Sequence, residues 1–291
     1  MSASSSVGIV FNPRAPQSKA LVQQLVDVLG DLASSWIIPT SGNYDRWPPS
    51  STSLIITVGG DGTILWAAQM AAPMDIPILG VNLGRVGFMT ELKADEAASH
   101  VREYLDGSAW LEERTMLQAR VVSQITEKPG EVPLHALNDV VVGRSAISRL
   151  VHLEVRVDGA LLNTYRADAV IVATATGSTG YSISAMGPIL HPQSRDLLLN
   201  PVATHLGLAT ALVLPSDSIV GITLRSDYKA VLSVDGRVDL DFMPGDTVEI
   251  KRSEYITKFL RAEPPNHFYG VLTERLNPDT GMTNFNTKSV T

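Results

Sequence analysis

Short apolar runs alternate with amphipathic stretches through the first third of the chain. Val7 to Phe11 is an apolar run ended by Asn12-Pro13 and predicts a strand. Gln17 to Leu29 places Leu21, Leu25 and Val28 at helical spacing. Ser35 to Ile38 predicts a second strand, and Thr40 to Ser53, rich in Pro, Ser, Gly and Asn, a surface loop. Leu54 to Val58 is β-branched and apolar, as in a buried strand. Gly59, Gly60 and Gly62 then surround Asp61, and Ile64, Leu65, Ala67, Ala68 and Met70 have the composition of a buried helix. Ile76 to Val81 predicts another strand. Ala94 to Leu105 predicts a helix with Asp95 and Glu96 in its first turn, where the helix dipole favours acids. Such alternation implies an α/β domain over residues 1–112, with a doubly wound, Rossmann-like parallel sheet. Ligands of such sheets sit at the carboxyl ends of strands, so Asp61 and the Asn82 to Phe88 loop can share one crevice.

Beyond residue 112 the texture changes. Leu117 to Ile125, Ala136 to Gly143, Val151 to Val157, Val170 to Ala173, Ile219 to Leu224, Ala230 to Val234 and Thr247 to Lys251 read as strands. Asp158-Gly159 and Asp235-Gly236 are two-residue hairpin signals. Residues 113–265 are expected to form a mainly antiparallel, sandwich-like β domain. Phe268 to Leu276 predicts a C-terminal helix within 266–291, and Asn277 to Thr291 a polar, frayed tail.

Composition narrows the classes. The 291 residues are 44% hydrophobic, enough for two cores, with net charge −7 and no basic block, which argues against nucleic acid. There are no cysteines, and the six histidines are scattered without paired spacing, so neither a disulfide nor zinc is suggested. Met1 to Ser6 lacks the parts of a signal peptide, and no apolar run approaches ~20 residues. A cytoplasmic protein without membrane contact is expected.

The chemistry centres on Gly59 to Thr63. A glycine loop opening a helix exposes backbone N–H groups at the positive dipole end, which suits phosphate. An acid there repels phosphate, but fits if it orients or deprotonates a hydroxyl, or if a cation bridges the two. The alternative is a tight turn that needs glycine for its backbone. The loop is not a P-loop, since the chain has no Gly-Lys pair. Two later stretches look chemical. Asn138-Asp139, beside an apolar run, supplies a donor and acceptors for a diol such as a ribose, or is an ordinary turn. Thr174 to Ser184, following Tyr165 to Asp168 and an apolar run, is hydroxyl- and glycine-rich with one aromatic, Tyr181. It suits a nucleoside, or is a polar surface loop.

GGDGT resembles the superfamily that holds NAD kinases, diacylglycerol kinases and phosphofructokinases. The order GGDGT, NLGRVGF, NDVV, TGSTGYSIS with MGPIL, and SVDG is similar to the NAD kinase family from about Val7 to Leu276. The resemblance implies that Asp61 is the catalytic acid acting on the adenosine 2′-hydroxyl, with Gly59, Gly60, Gly62 and Thr63 at the phosphates of ATP. It implies NAD contacts at Asp61, Gly62, Phe88 (adenine), Asn138 and Asp139 (adenosine ribose and adenine), and Arg149. Arg166 and Asp168 match positions near the nicotinamide end. Thr179, Gly180, Tyr181, Ser182, Ile183 and Ser184 fall in the adenine and nicotinamide-ribose loop. It further implies ATP as donor, a divalent cation such as Mg²⁺ with no metal ligand assigned, and a homodimer or homotetramer.

This chain departs from the family at Asp139, where Glu is usual, and at Ala169, Ala175, Gly180 and Met186. Around His205, Thr210-Ala211 stands where Arg-Pro is expected. These departures cluster on the dinucleotide side. The expected reaction is transfer of the ATP γ-phosphate to NAD, giving NADP. A kinase for another nucleoside or polyol, and a non-catalytic nucleotide sensor, are the alternatives. NADH as acceptor and another triphosphate or polyphosphate as donor also stay open.

Overall fold

The computed structural model describes residues 6–30, 33–41, 48–84, 87–122, 133–147, 149–205 and 208–276. The tail from Asn277, residues 42–47 of the loop expected at 40–53, Arg85-Val86 and the end of the strand expected at Leu117 to Ile125 lie outside them.

The first half alternates as the pattern predicts: β1 (Ser6–Phe11), α1 (Ser18–Leu29), β2 (Ser34–Pro39), β3 (Thr52–Gly59), α2 (Asp61–Ala71), β4 (Ile78–Asn82), β5 (Leu92–Lys93) and α3 (Ala94–Leu105). The strands are parallel in the order β2-β1-β3-β4. Connections leave in opposite directions on either side of β1 and β3, so the switch point lies at Phe11–Asn12 and Gly59. Alternation along the strands feeds two cores. Val7, Ile9, Leu54, Ile56 and Leu79 pack with Leu21 and Leu25 of α1 and Val101 of α3. Val10, Ile55 and Ile78 face α2. Helix α2 is apolar nearly all round, and Trp66, Met70 and Ile64 are buried together with Met116, Leu137 and Phe259 from the second half. A helix so enclosed holds its N-terminus in one place, which matters because Asp61 opens it.

The second half comprises β6 (Trp110–Val122), β7 (Leu134–Ala136), β8 (Asp139–Arg144), β9 (Val151–Val157), β10 (Ala160–Ala167), β11 (Ala169–Ala173), α4 (Tyr181–Ser184), β12 (Leu197–Val202), β13 (Leu212–Leu214), β14 (Val220–Leu224), β15 (Ala230–Val234), β16 (Val238–Phe242), β17 (Thr247–Arg261) and α5 (His267–Leu276). Among the described residues, β13-β12-β11-β8-β15-β16 make one antiparallel sheet. It packs over β9, β10, β14 and β17 around Val142, Val172, Leu199, Leu232, Val155, Ile222 and Ile250, a sandwich. Both hairpin signals hold: Asp158 and Gly159 (φ 51° and 81°) turn β9 into β10. Asp235 and Gly236 (φ 53° and 63°) turn β15 into β16.

Several strands differ from expectation: the short β5, β7 and β13 were not expected, and Leu137-Asn138 break the run expected at Ala136 to Gly143. β6 begins at Trp110, so residue 112 falls inside it. β17 runs ten residues past Lys251, to Arg261. Lys251, Arg252, Glu254 and Lys258 hide β17's continuation in the pattern, but pairing with β6 along nearly its whole length carries it on. Its far end meets β4 in parallel, Phe259 against Ile78, joining both halves in one sheet. β12 is absent from the expected strands because Asn200-Pro201 interrupts its run. Pro201 is tolerated because only Leu197 to Leu199 pair with β13.

Candidate active site

Gly60 is the extended N-cap of α2 and Asp61 the first helical residue. The Asp61 carboxylate reaches across to the 87–89 loop, where it accepts the N–H groups of Phe88 and Met89, both at 3.2 Å. A Cβ at Gly87 would lie 2.3 Å from Asp61 Oδ1, so the carboxylate keeps this position only beside a glycine. From the far end of the chain, Arg275 on α5 donates to Asp61 Oδ2 at 3.3 Å, and its guanidinium lies 4.8 Å from the Phe88 ring centre. Helix α5 buries none of its residues and rests through Phe268 and Tyr269 against His191. Thr63, by contrast, is buried, with its hydroxyl against Gly59.

A buried ion network holds this loop from below. Arg261 donates to Met89 O, Glu91 and Glu112, and Glu112 also accepts from Arg114 at 2.9 Å. Burial pushes the Glu112 carboxyl up, but Arg114 and Arg261 outweigh it and hold the group below the usual carboxylate range. Burial lowers the Arg114 pKa, while Glu112 and, further off, Asp61 favour its charge. The other arm of Arg114 donates to Thr176 Oγ1 at 3.2 Å, so one side chain stands between the Asp61 loop and the hydroxyl-rich stretch. Beside the loop opens a cavity of about 350 Å³, lined by Phe88, Arg114, Arg261 and Phe268 among others.

Asn138-Asp139 opens β8. Gly177 packs so closely on it that a Cβ would sit 2.0 Å from Asn138 O. Asp139 is buried, accepts the Tyr181 N–H, and faces the buried Asp235. Desolvation first, then the Asp235 charge, pushes Asp139 up to about 7, and desolvation raises Asp235 to about 6. Asn138 Oδ1 is buried and unpartnered among the described residues.

The hydroxyl-rich stretch, expected as a long loop, is neither irregular throughout nor a polar surface loop. It folds as a single 3₁₀ turn at Gly177–Thr179 and the short α4. Buried hydroxyls need partners, and most find them internally. Thr174 donates to Leu137 O, Ser178 to Ala175 O and Thr179 to Thr176 O, while Ser182 Oγ accepts from Asn200. Tyr181 and Ser184 are exposed, and Ile183 is half-buried. A Cβ at Gly180 would lie 3.5 Å from Asn138 Nδ2 and 3.7 Å from Asp139 Oδ2. Tyr181 shares a second cavity, of about 300 Å³, with Asp168, Ala169 and Arg144. Arg144 pairs with Asp168 at 3.1 Å. Arg166 is exposed on β10, and Arg149 stacks 5.2 Å over Tyr228; neither lines that cavity.

Residues 39–109 match the ATP-NAD kinase N-terminal domain and residues 137–262 the ATP-NAD kinase C-terminal domain. The chain belongs to the NAD kinase family. It is 39% identical over 272 residues to an NAD kinase of Dehalococcoides mccartyi, covering 93% of this chain and 95% of that one. It is 40% identical over 273 residues to an NAD kinase of Chloroflexus aurantiacus, covering 93% and 98%. A crystal structure of yeast NADH kinase complexed with NADH shares the fold (TM-score 0.85, 24% identity, 96% of this chain and 89% of that one). So does an NAD kinase from Archaeoglobus fulgidus in complex with ATP (TM-score 0.74, 25% identity, 92% and 98%).

The sequence reading missed Arg275, Arg114, Glu112, Arg261, Gln69 and Arg144. None carries a local motif; Asp235 did, as a hairpin residue and as part of SVDG, without an assigned role.

Proposed function

We propose that this chain transfers the γ-phosphate of ATP to the 2′-hydroxyl of the adenosine ribose of NAD, giving NADP. The observation that carries the reading is the placement of Asp61. It is a lone carboxylate at a helix N-terminus, aimed by two backbone N–H groups, and its 87–89 loop is tied through Arg261, Glu112, Arg114 and Thr176 to the turn whose Gly177 packs on Asn138. Gly60 and Gly62 support a ligand on the loop, because a methyl at either would meet nothing among the described residues. Their backbone lies open for phosphate to approach.

In this reading Asp61 orients the acceptor hydroxyl and takes its proton late, as a loose phosphoryl-transfer transition state requires. Arg275 must then share or leave the Asp61 carboxylate as the hydroxyl arrives. Phe88 and Tyr181 offer ring faces to the bases, and Asn138 Oδ1 and Asp139 offer acceptors to the adenosine. Thr179 to Ser184 shape the adenine and nicotinamide-ribose side. Asp168, with Arg144, lies toward the nicotinamide end, with Arg166 and Arg149 further out. Residues 1–112 carry the phosphate loop, 113–265 the acceptor, and 266–291 the C-terminal helix α5 (His267–Leu276) and the tail.

Among the described residues no three His, Asp or Glu side chains cluster as a metal site. A divalent cation such as Mg²⁺, when bound with the donor phosphates, would neutralise charge on the transferring group. No helix among the described residues is long and apolar enough to cross a membrane. Cytoplasmic placement and a homodimer or homotetramer accord with the reading.

The test is product formation from NAD, NADH and a panel of nucleosides with ATP, repeated with Asp61→Asn. NAD should be phosphorylated, and the variant should keep its fold and lose on the order of 10²-fold or more in kcat. Turnover of nucleosides but not NAD overturns the acceptor, and near-normal turnover by the variant removes Asp61 from the chemistry.

A further inference from the structure

We propose that Asp235 is a positioning residue for the acceptor: its carboxylate sets the backbone that presents Asn138 and Asp139, and ties that segment to the helix carrying Asp61. This rests on the reading of the site just given. A hairpin needs from residue 235 only its left-handed backbone, which Asp158 provides equally at the β9–β10 turn. Asp235 does more. Its side chain is buried, with the residue 8% exposed, and accepts three consecutive N–H groups from a segment almost a hundred residues away. Oδ2 takes Leu137 N–H at 2.9 Å, and Oδ1 takes Asn138 N–H at 2.8 Å and Asp139 N–H at 3.2 Å. The Asp235 N–H returns a bond to Asp139 O at 2.9 Å. Three successive N–H groups turned onto one anion form a concave nest whose shape depends on that anion.

The same carboxylate reaches α2. Gln69 Nε2 lies 3.5 Å from Asp235 Oδ2 and donates to His135 O at 3.0 Å. The helix opened by Asp61 and the segment holding Asn138 are therefore keyed to one side chain. Shifting Asp235 moves the acceptor ribose relative to Asp61, and a displacement of an ångström there is costly to transfer.

Asp235 also places a negative charge against Asp139. The groups around the pair are few. The Tyr181 N–H comes from α4, and Gln69 on α2 is neutral. The His135 ring is turned to Ser253, with burial lowering its pKa. Arg114 on β6 is engaged by Glu112 and Thr176. Arg237 donates to Leu65 O and lies 6.0 Å from the Trp66 ring. Removing the Asp235 charge therefore lets Asp139 ionise at lower pH.

The experiment measures kcat and KM for NAD and for ATP from about pH 5 to about pH 9, with thermal unfolding as a fold control. Asp235→Asn keeps the shape, removes the charge and turns one acceptor into a donor facing N–H groups. It should lower kcat and raise KM for NAD, each about tenfold, leave KM for ATP within about twofold, and move the acid limb of kcat/KM for NAD down by about one pH unit. Asp235→Glu keeps the charge but displaces it, so KM for NAD should rise with the limb unmoved. A lower unfolding temperature with kcat, both KM values and the limb unchanged overturns the proposal. If neither variant folds, carbon-13 titration of the wild-type carboxyls decides. Amide shifts of Leu137, Asn138 and Asp139 that follow the Asp235 carboxyl through the same titration support it, and amides that do not respond overturn it. A wild-type chain that does not phosphorylate NAD would instead sink the functional reading, and the titration would still judge Asp235.

Discussion

At the scale of single residues, the site depends on close approaches that leave no spare volume. Asp61 is aimed because the 87–89 backbone can come within hydrogen-bonding distance of its carboxylate, and that approach needs glycine at 87. Gly87→Ala should force the carboxylate out of its cradle. The expected result is a loss of kcat on the order of 10²-fold, because misplacement by about an ångström suffices, while circular dichroism stays native. Activity within a few-fold of wild type would show that the 87–89 N–H groups do not aim Asp61. Residue-scale reading of the chain went furthest where chemistry is local. GGDGT announces itself by composition, and Asn138-Asp139 by two polar residues at the head of an apolar run. Arg114 and Arg275 announce nothing, since an arginine in a strand or in a polar helix is ordinary until its neighbours are known.

At the scale of elements, the helices and most strands were legible because each buries one regular stripe or an unbroken apolar run. Helix α5 differs: none of its residues is buried, and its tie to the site is the exposed Arg275–Asp61 pair and the stacking on Phe88. Such a pair contributes about 0–1 kcal/mol. Arg275→Ala should therefore move the unfolding midpoint by no more than about 2–4 °C in a chain of this size, as read by scanning calorimetry. A larger fall would mean that α5 is part of the folding core rather than a helix laid over the site. The hydroxyl-rich stretch taught the opposite lesson. Its serines and threonines read as ligand donors, yet Thr174, Ser178 and Ser182 are inside, holding a turn together. Polarity in sequence does not distinguish a hydroxyl that faces a ligand from one that satisfies a buried backbone.

At the scale of the whole molecule, the two halves are joined where β17 meets β4 and by the Glu91–Arg261–Glu112–Arg114 network. Glu112→Ala would leave two guanidiniums buried without their shared anion and should cost about 3–5 kcal/mol in urea unfolding at neutral pH. The sign with pH follows from the lowered Glu112 pKa. The folded chain binds fewer protons there than the unfolded one, so its contribution is present above the ordinary carboxylate range. It is lost as pH falls through the folded value. Asp139 and Asp235, both raised, act in the opposite sense and favour the fold less as pH rises from about 4 to about 7. The penalty of Glu112→Ala should thus shrink toward acid pH. An equal penalty at acid and neutral pH would show that Glu112 acts by packing alone.

The amino-acid sequence by itself determined the elements, the α/β-then-β order, the hairpins and the acid among glycines. Each of these follows from periodicity, turn stereochemistry or composition within a few residues. Only the tertiary structure decided how far β6 and β17 run, which hydroxyls remain for a ligand, and that Arg275, Arg114 and Asp235 converge on segments far away in the chain. Those outcomes depend on burial and on partners brought together by folding, and a linear pattern contains neither.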